Sequence, residues 1–230
     1  MLISLFDAIF SSIIMILKLR HPFRMIISGC SQSGKSYFTS EIIRGGSETI
    51  DKPPDIVIYC ARYKSSVPNS IKHIVQFHQG LPDDDIFEKF NDKRVLVVLD
   101  DMQIDALRSD VTTNIFLFGR HSNISVIFML HNIFPREKNA RNISLNANYL
   151  VLLKNTRDPS QILTLSRQLQ PLEPKFLSKV YFNFVNKPYS HILIDLNVDT
   201  EEYFKYRGNI FSNFQEIYLN ERQLEMLENK

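Results

Sequence analysis

Cysteine is scarce: Cys30 and Cys60 are the only two in 230 residues. Two are too few for a disulfide framework, so a reducing intracellular compartment is the expectation. An excess of one charge is also missing. Lysine and arginine number 27 against 25 acidic residues, a net +2, far below a basic coat, so any contact with nucleic acid has to be local. With only 7 glycines and 10 prolines, collagen-like and low-complexity classes are excluded. There is no internal repeat and no Cys-x-x-Cys pair, and His73, His78 and His121 have no partner at metal-ligand spacing. What is present is a chain 44% hydrophobic and 23% charged, enough for one domain with a sizeable core.

The most apolar stretch is the first. Met1 to Leu17 holds 13 apolar residues, but Asp7 interrupts it and the basic residues Lys18, Arg20 and Arg24 follow it, the wrong order for a signal peptide. Ser4, Asp7, Ser11 and Lys18 form one polar stripe at helical spacing, so residues 1–20 read as an amphipathic helix docked on the core. A membrane-surface anchor is the less favoured reading, and the central aspartate makes a span the weakest one.

Short β-branched runs then alternate with helical patterns. Strands are expected at Met25–Ser28, Ile56–Tyr59, Ile71–Phe77, Arg94–Leu99, Ser125–Leu130, Tyr149–Leu153 and His191–Asp195. Their two-sided apolar character is that of buried parallel strands with helices on both faces, an α/β class. Helices are expected at Lys35–Ile43, about Asp105–Phe118, Pro159–Leu169 and Pro174–Val180. Residues 21–200 form the core and 201–230, charged with scattered aromatics, a peripheral arm.

Gly29-Cys30-Ser31-Gln32-Ser33-Gly34-Lys35-Ser36 matches G-x-x-x-x-G-K-[ST] between a strand and a helix, as a P-loop requires. Its glycines let the backbone wrap a phosphate, Lys35 reaches the β and γ oxygens of ATP, and Ser36 ligates Mg²⁺. Cys30 is either a reactive thiolate or a small residue filling a tight loop. Arg94 to Leu99 ends in Asp100-Asp101, a Walker B pattern. Asp100 would hold Mg²⁺ and Asp101 would orient and deprotonate the attacking water, approaching from the strand next to the P-loop strand. Asp101 could instead cap the following helix. Asp83-Asp84-Asp85 reads as the first turn of a helix rather than a metal cluster. Asn155-Thr156-Arg157-Asp158 lacks the lysine that a guanine-reading motif needs.

The order of motifs resembles the FtsK/HerA-type P-loop ATPases, specifically the genome-packaging ATPases of large double-stranded DNA viruses, virophages and Maverick/Polinton elements. The stretches that carry the likeness are His21-Pro22-Phe23, Gly80-Leu81-Pro82-Asp83, Leu99-Asp100-Asp101-Met102, Asn123 to Phe128, Arg141 to Asn146, Lys154 to Asp158 and Tyr206 to Phe211. The resemblance implies a RecA-like core that forms a homo-oligomeric ring of about five or six subunits. It also implies ATP between subunits, DNA threaded through the centre, a capsid or portal component as partner, and action at the host cell's site of virion assembly, nucleus or cytoplasmic factory, or in the virion. His131 stands where the family carries a γ-phosphate-sensing glutamine, and imidazole brings a pH dependence that an amide lacks. Thr156 replaces a proline. Ring ATPases complete the site with an arginine from a neighbour, and Arg157 and Arg141 are both candidates. Two other classes stay open: a nucleotide or small-molecule kinase, for which no arginine-dense lid is apparent, and a membrane-associated assembly ATPase.

Overall fold

Apolar strands buried on both sides alternate along the chain with amphipathic helices. The computed structural model describes residues 17–90, 92–185 and 189–228. In chain order the elements are β1 (Arg24–Ser28), α1 (Lys35–Gly45), β2 (Ile56–Ala61), β3 (Gln76–Gln79), α2 (Ile86–Lys89), β4 (Val95–Leu99), α3 (Gln103–Arg108), α4 (Asp110–Phe118) and β5 (Ile124–Leu130). There follow α5 (Ala140–Asn146), β6 (Tyr149–Leu153), α6 (Ser160–Leu169), α7 (Phe176–Phe184), β7 (His191–Asp195), β8 (Tyr206–Gly208), β9 (Glu216–Ile217) and α8 (Glu221–Glu228). The strands form one nine-stranded sheet in the order β3-β2-β4-β5-β1-β6-β7-β8-β9. The first six in that order pair in parallel, and β7, β8 and β9 are antiparallel.

The period of two in each strand feeds two cores. In β4, Val95, Val97 and Leu99 face one side with α3 to α7, while Leu96 and Val98 face the other with α1. On that second side Phe38, Ile42 and Ile43 of α1 pack over Met25 and Ile27 of β1, which sits between β5 and β6 at the centre of the sheet.

Four expectations change. Ile71 is fully buried, but in a turn closed by Ile71 N–H to Pro68 O, and β3 begins only at Gln76. The helix expected over 105–118 is two helices: Ser109 adopts an extended backbone and its hydroxyl accepts from Thr112 N–H, capping α4 and ending α3. His191–Asp195 joins the sheet antiparallel to β6. The segment 201–230 is not peripheral, because β8 and β9 extend the sheet and Tyr206, Arg207, Ile217 and Tyr218 are buried. Of the amino-terminal helix, residues 1–16 lie outside the described residues; Leu19 bridges to Ile50.

Arg207 explains why the last segment is held. It is 2% exposed and bonds Asp195 Oδ2 at 2.9 Å and Leu17 O at 3.0 Å. A buried pair of this kind adds little net stability, yet removing one partner strands the other charge at a cost of about 3–5 kcal/mol.

His191 lies at the same junction. Its Nε2 accepts from Ile210 N–H at 3.3 Å and its Nδ1 lies 3.4 Å from Tyr189 O, which fits the neutral ring. Burial pushes its pKa down from 6.5 to about 4. A histidine that must stay neutral when folded is fully stabilising above its unfolded pKa, and that contribution is lost as pH falls from about 6.5 to about 4. His191→Gln, which keeps an acceptor, should flatten the fall of stability across this window in urea titrations at stepped pH. An unchanged acid limb would assign the loss elsewhere.

Candidate active site

Three parallel strands, β4, β5 and β1, end at one edge of the sheet, and each delivers part of a polar cluster there. The order corrects the sequence expectation. The Walker B strand β4 is not next to the P-loop strand β1; β5 pairs with both and stands between them. Asp100 and the P-loop are thus about two strand spacings apart, roughly 10 Å, and His131, just past β5, fills the interval.

The P-loop turns from β1 into α1. Gln32 (φ 63°) and Gly34 (φ 104°) take left-handed conformations that tilt successive amides inward. Gly34 caps α1 with no side-chain acceptor, and no acidic residue lies in the helix's first turn. The leading N–H groups are therefore those that an anion satisfies. Ser33 Oγ is buried without a partner. These features, with an adjacent ammonium, fit a phosphate chain.

That ammonium belongs to Lys35, only 9% exposed. Its three donors meet Gly29 O at 2.8 Å, Cys30 O at 2.9 Å and His131 Nδ1 at 3.3 Å. Burial pulls its pKa down, opposed first by the negative charge of Asp100 and also by that of Asp101. The half-buried Cys30 thiol donates to Lys154 O at 3.3 Å. Ser31 is exposed at the loop's crest.

The two carboxylates occupy opposite environments. Asp100 is buried, and the Tyr59 hydroxyl donates to its Oδ2 at 2.6 Å. Burial raises its pKa, countered first by the Tyr59 bond. Asp101 has a left-handed backbone (φ 52°) and a side chain 76% exposed, its Oδ1 3.5 Å from His131 Nε2. It precedes α3, whose cap residue is Met102, so Asp101 is not the helix cap. The hydroxyl of Ser36 and the carboxylate of Asp100 are hard oxygen donors that suit Mg²⁺ when substrate oxygens complete the shell.

Arg157 and Arg141 are exposed, on the loop after β6 and on α5 respectively. Neither makes a side-chain bond to Lys35, Asp100 or Asp101. Asn155 Oδ1 accepts from Arg157 N–H at 3.1 Å and shapes that loop. Sequence reasoning missed Tyr59, Gln103, whose Oε1 accepts from His131 N–H at 2.9 Å, and Tyr181, which donates to Leu153 O and accepts from Asn155 N–H. The one signal available was a phenol near the carboxyl end of an otherwise aliphatic strand.

A family model described as Poxvirus A32 protein matches residues 54–164. That is just under half of the chain, from β2 through Walker B to α6, without the P-loop. Comparison with curated proteins finds no match. Among solved structures, the genome packaging NTPase B204 of Sulfolobus turreted icosahedral virus 2, in complex with ATP-gammaS, aligns with TM-score 0.52 and 13% identity, covering 86% of this chain and 97% of that one. The same protein in complex with sulfate gives TM-score 0.49 and 15% identity over 77% and 93%. A KaiC-like protein from the archaeon Pyrococcus horikoshii gives 0.45 and 11% over 86% and 91%. The expected α/β fold, a mostly parallel sheet with helices on both faces, is borne out, and the alignment with the ATP-gammaS complex of B204 shows a shared fold.

The environment of Asp100 has a measurable cost. A carboxyl whose folded pKa is raised holds its proton more tightly when folded, so its contribution is most favourable at low pH and declines as pH rises through the raised value. Asp100→Asn still accepts from Tyr59 and should melt higher than the parent at pH 7, with the gain vanishing below about pH 4. A lower melting temperature at pH 7 would show that the charge stabilises the fold.

Proposed function

We propose that this chain is an ATP-hydrolysing motor that drives double-stranded DNA into a viral capsid. The observation that carries the reading is the meeting of Lys35, Asp100, Asp101 and His131 at one edge of a RecA-like sheet, in a chain similar to the poxvirus A32 family.

The roles follow from the environments. The amides of Gly29 to Ser36 wrap the β- and γ-phosphates, and Lys35 moves its donors from the Gly29 and Cys30 carbonyls onto phosphate oxygens. Ser36 and Asp100 would hold Mg²⁺, which would neutralise phosphate charge there. Asp101, exposed and 3.5 Å from His131 Nε2, takes a proton from the water that attacks the γ-phosphorus as the bond to the β-γ bridging oxygen breaks. His131, with one ring nitrogen toward Lys35 and the other toward Asp101, spans phosphate and base and occupies the sensor position.

Charge developing on the γ-phosphoryl group calls for one more cation. Arg157 and Arg141 are exposed and touch none of these side chains, as an arginine offered to a neighbouring subunit would be. A ring of about five or six copies would place one of them at each site and repeat the few basic residues of a chain of net charge +2 around a DNA channel. A capsid or portal component as partner and a host-cell assembly site belong to the same proposal. No helix among the described residues is long and apolar enough to cross a membrane.

Double-stranded DNA should stimulate ATP hydrolysis, and specific activity should rise with protein concentration below the assembly threshold. Asp101→Asn should keep nucleotide bound while turnover falls roughly 100-fold or more. Arg157→Ala should lower turnover with ATP affinity nearly intact, and mixing it with Lys35→Ala should restore part of the activity at mixed interfaces. A concentration-independent rate without rescue would overturn the ring. A phosphorylated small acceptor as product would support a kinase instead.

A further inference from the structure

The catalytic cluster fixes which way a nucleotide must lie. Its γ-phosphate end points toward β5 and β4, where His131, Asp100 and Asp101 are, so its base leaves on the opposite side of β1, toward β6 and β7. Two tyrosines wait there. Tyr37 follows Ser36 in the first turn of α1, and Tyr189 lies two residues before β7. Their ring centroids are 4.9 Å apart with planes tilted by 42°, and they are 50% and 60% exposed.

Neither ring is explained by the core. Tyr189 has a left-handed backbone (φ 60°), unfavourable for a bulky side chain, and it turns the ring onto the P-loop. A Cβ added to Gly34 would come within 2.9 Å of Tyr189 Cδ1, so the glycine's bareness lets the ring close on the loop. Beyond the pair runs a groove of about 350 Å³ whose walls include Glu41, Asn209, Phe211 and Ser212. That size lies within the usual range for small-ligand sites.

We propose that Tyr37 and Tyr189 form the platform on which the base of the bound nucleotide stacks, with the groove taking its outer edge. This rests on the nucleotide reading above and adds the part of the site that distinguishes a nucleotide from a bare phosphate chain. Removal of an aromatic partner from a stacked base weakens binding roughly tenfold.

The test compares ATP with inorganic triphosphate, both with Mg²⁺, by calorimetric titration of the full chain. Tyr37→Ala and Tyr189→Ala should each weaken ATP about tenfold and leave triphosphate nearly unchanged, Tyr189→Phe should restore ATP binding, and Lys35→Ala should lose both ligands. The chain has no tryptophan, so Tyr189→Trp adds a single indole whose emission ATP, but not triphosphate, should quench. If the alanine variants bind ATP like the parent while Lys35→Ala loses both ligands, the platform is wrong and the nucleotide site stands. If they lose both ligands equally, the rings only shape the loop and the proposal fails. A parent chain that binds neither ligand would overturn the platform and the nucleotide reading together.

Discussion

The site is organised by the need to keep one ammonium charged while nearly buried. Desolvation works against Lys35, and the fold answers with two loop carbonyls, one imidazole nitrogen and a field from Asp100 and Asp101. Each answer requires a piece of architecture. The carbonyls of Gly29 and Cys30 both reach Lys35 Nζ, in a loop that turns through left-handed residues at Gln32 and Gly34. The imidazole is available because β5 lies between β1 and β4, and the carboxylates because β4 ends at the same edge. A phosphate replacing the loop carbonyls as partner for Lys35 would therefore act on groups already aimed at it, with little reorganisation.

Consecutive carboxylates acquire different chemistry from their surroundings. Asp100 is closed in and held by Tyr59, a fixed oxygen donor whose charge the fold bears at a cost; Asp101 reaches solvent and can exchange protons. What separates them is the left-handed backbone at Asp101, a conformation that aspartate tolerates better than most residues. The residue type is thus suited twice, by its backbone and by its acid.

What could be read from the sequence was what is contiguous in it. The P-loop, the acidic end of β4 and the buried strands follow from local pattern, since each is a short run with its own period or spacing. Tyr59, Gln103, Tyr181 and the Tyr37–Tyr189 pair act through partners 25 to 150 residues away, roughly speaking, and only strand order reveals them. The same cause produced the errors. Nothing local says that β5 separates β4 from β1, that Ser109 prefers capping to continuing a helix, or that the charged stretch after residue 200 hides strands around a buried arginine. Of the stretches that carried the family resemblance, some are structural: His21 Nδ1 meets Ser125 Oγ at 2.7 Å, and that oxygen accepts from Phe23 N–H, tying the entry of β1 to β5.

The stretch Tyr206 to Phe211 shows how a structural motif can still matter to the chemistry. Arg207 pins it to Asp195 and Leu17, and a Cβ on Gly208 would meet Tyr218 Oη at 2.2 Å, so any larger residue there would have to displace the buried Tyr218 ring. The register this imposes brings Ile210 N–H to His191 and sets Phe211 against Phe38 of α1, with ring centroids 4.9 Å apart. His191 packs on the same Phe38 ring at 4.8 Å. Phe38 is three residues beyond Lys35, so the helix that follows the P-loop is braced by His191 of β7 and by Phe211 in the segment after β8. Loosening Arg207 would thus reach the phosphate site through packing alone, without any contact to a ligand.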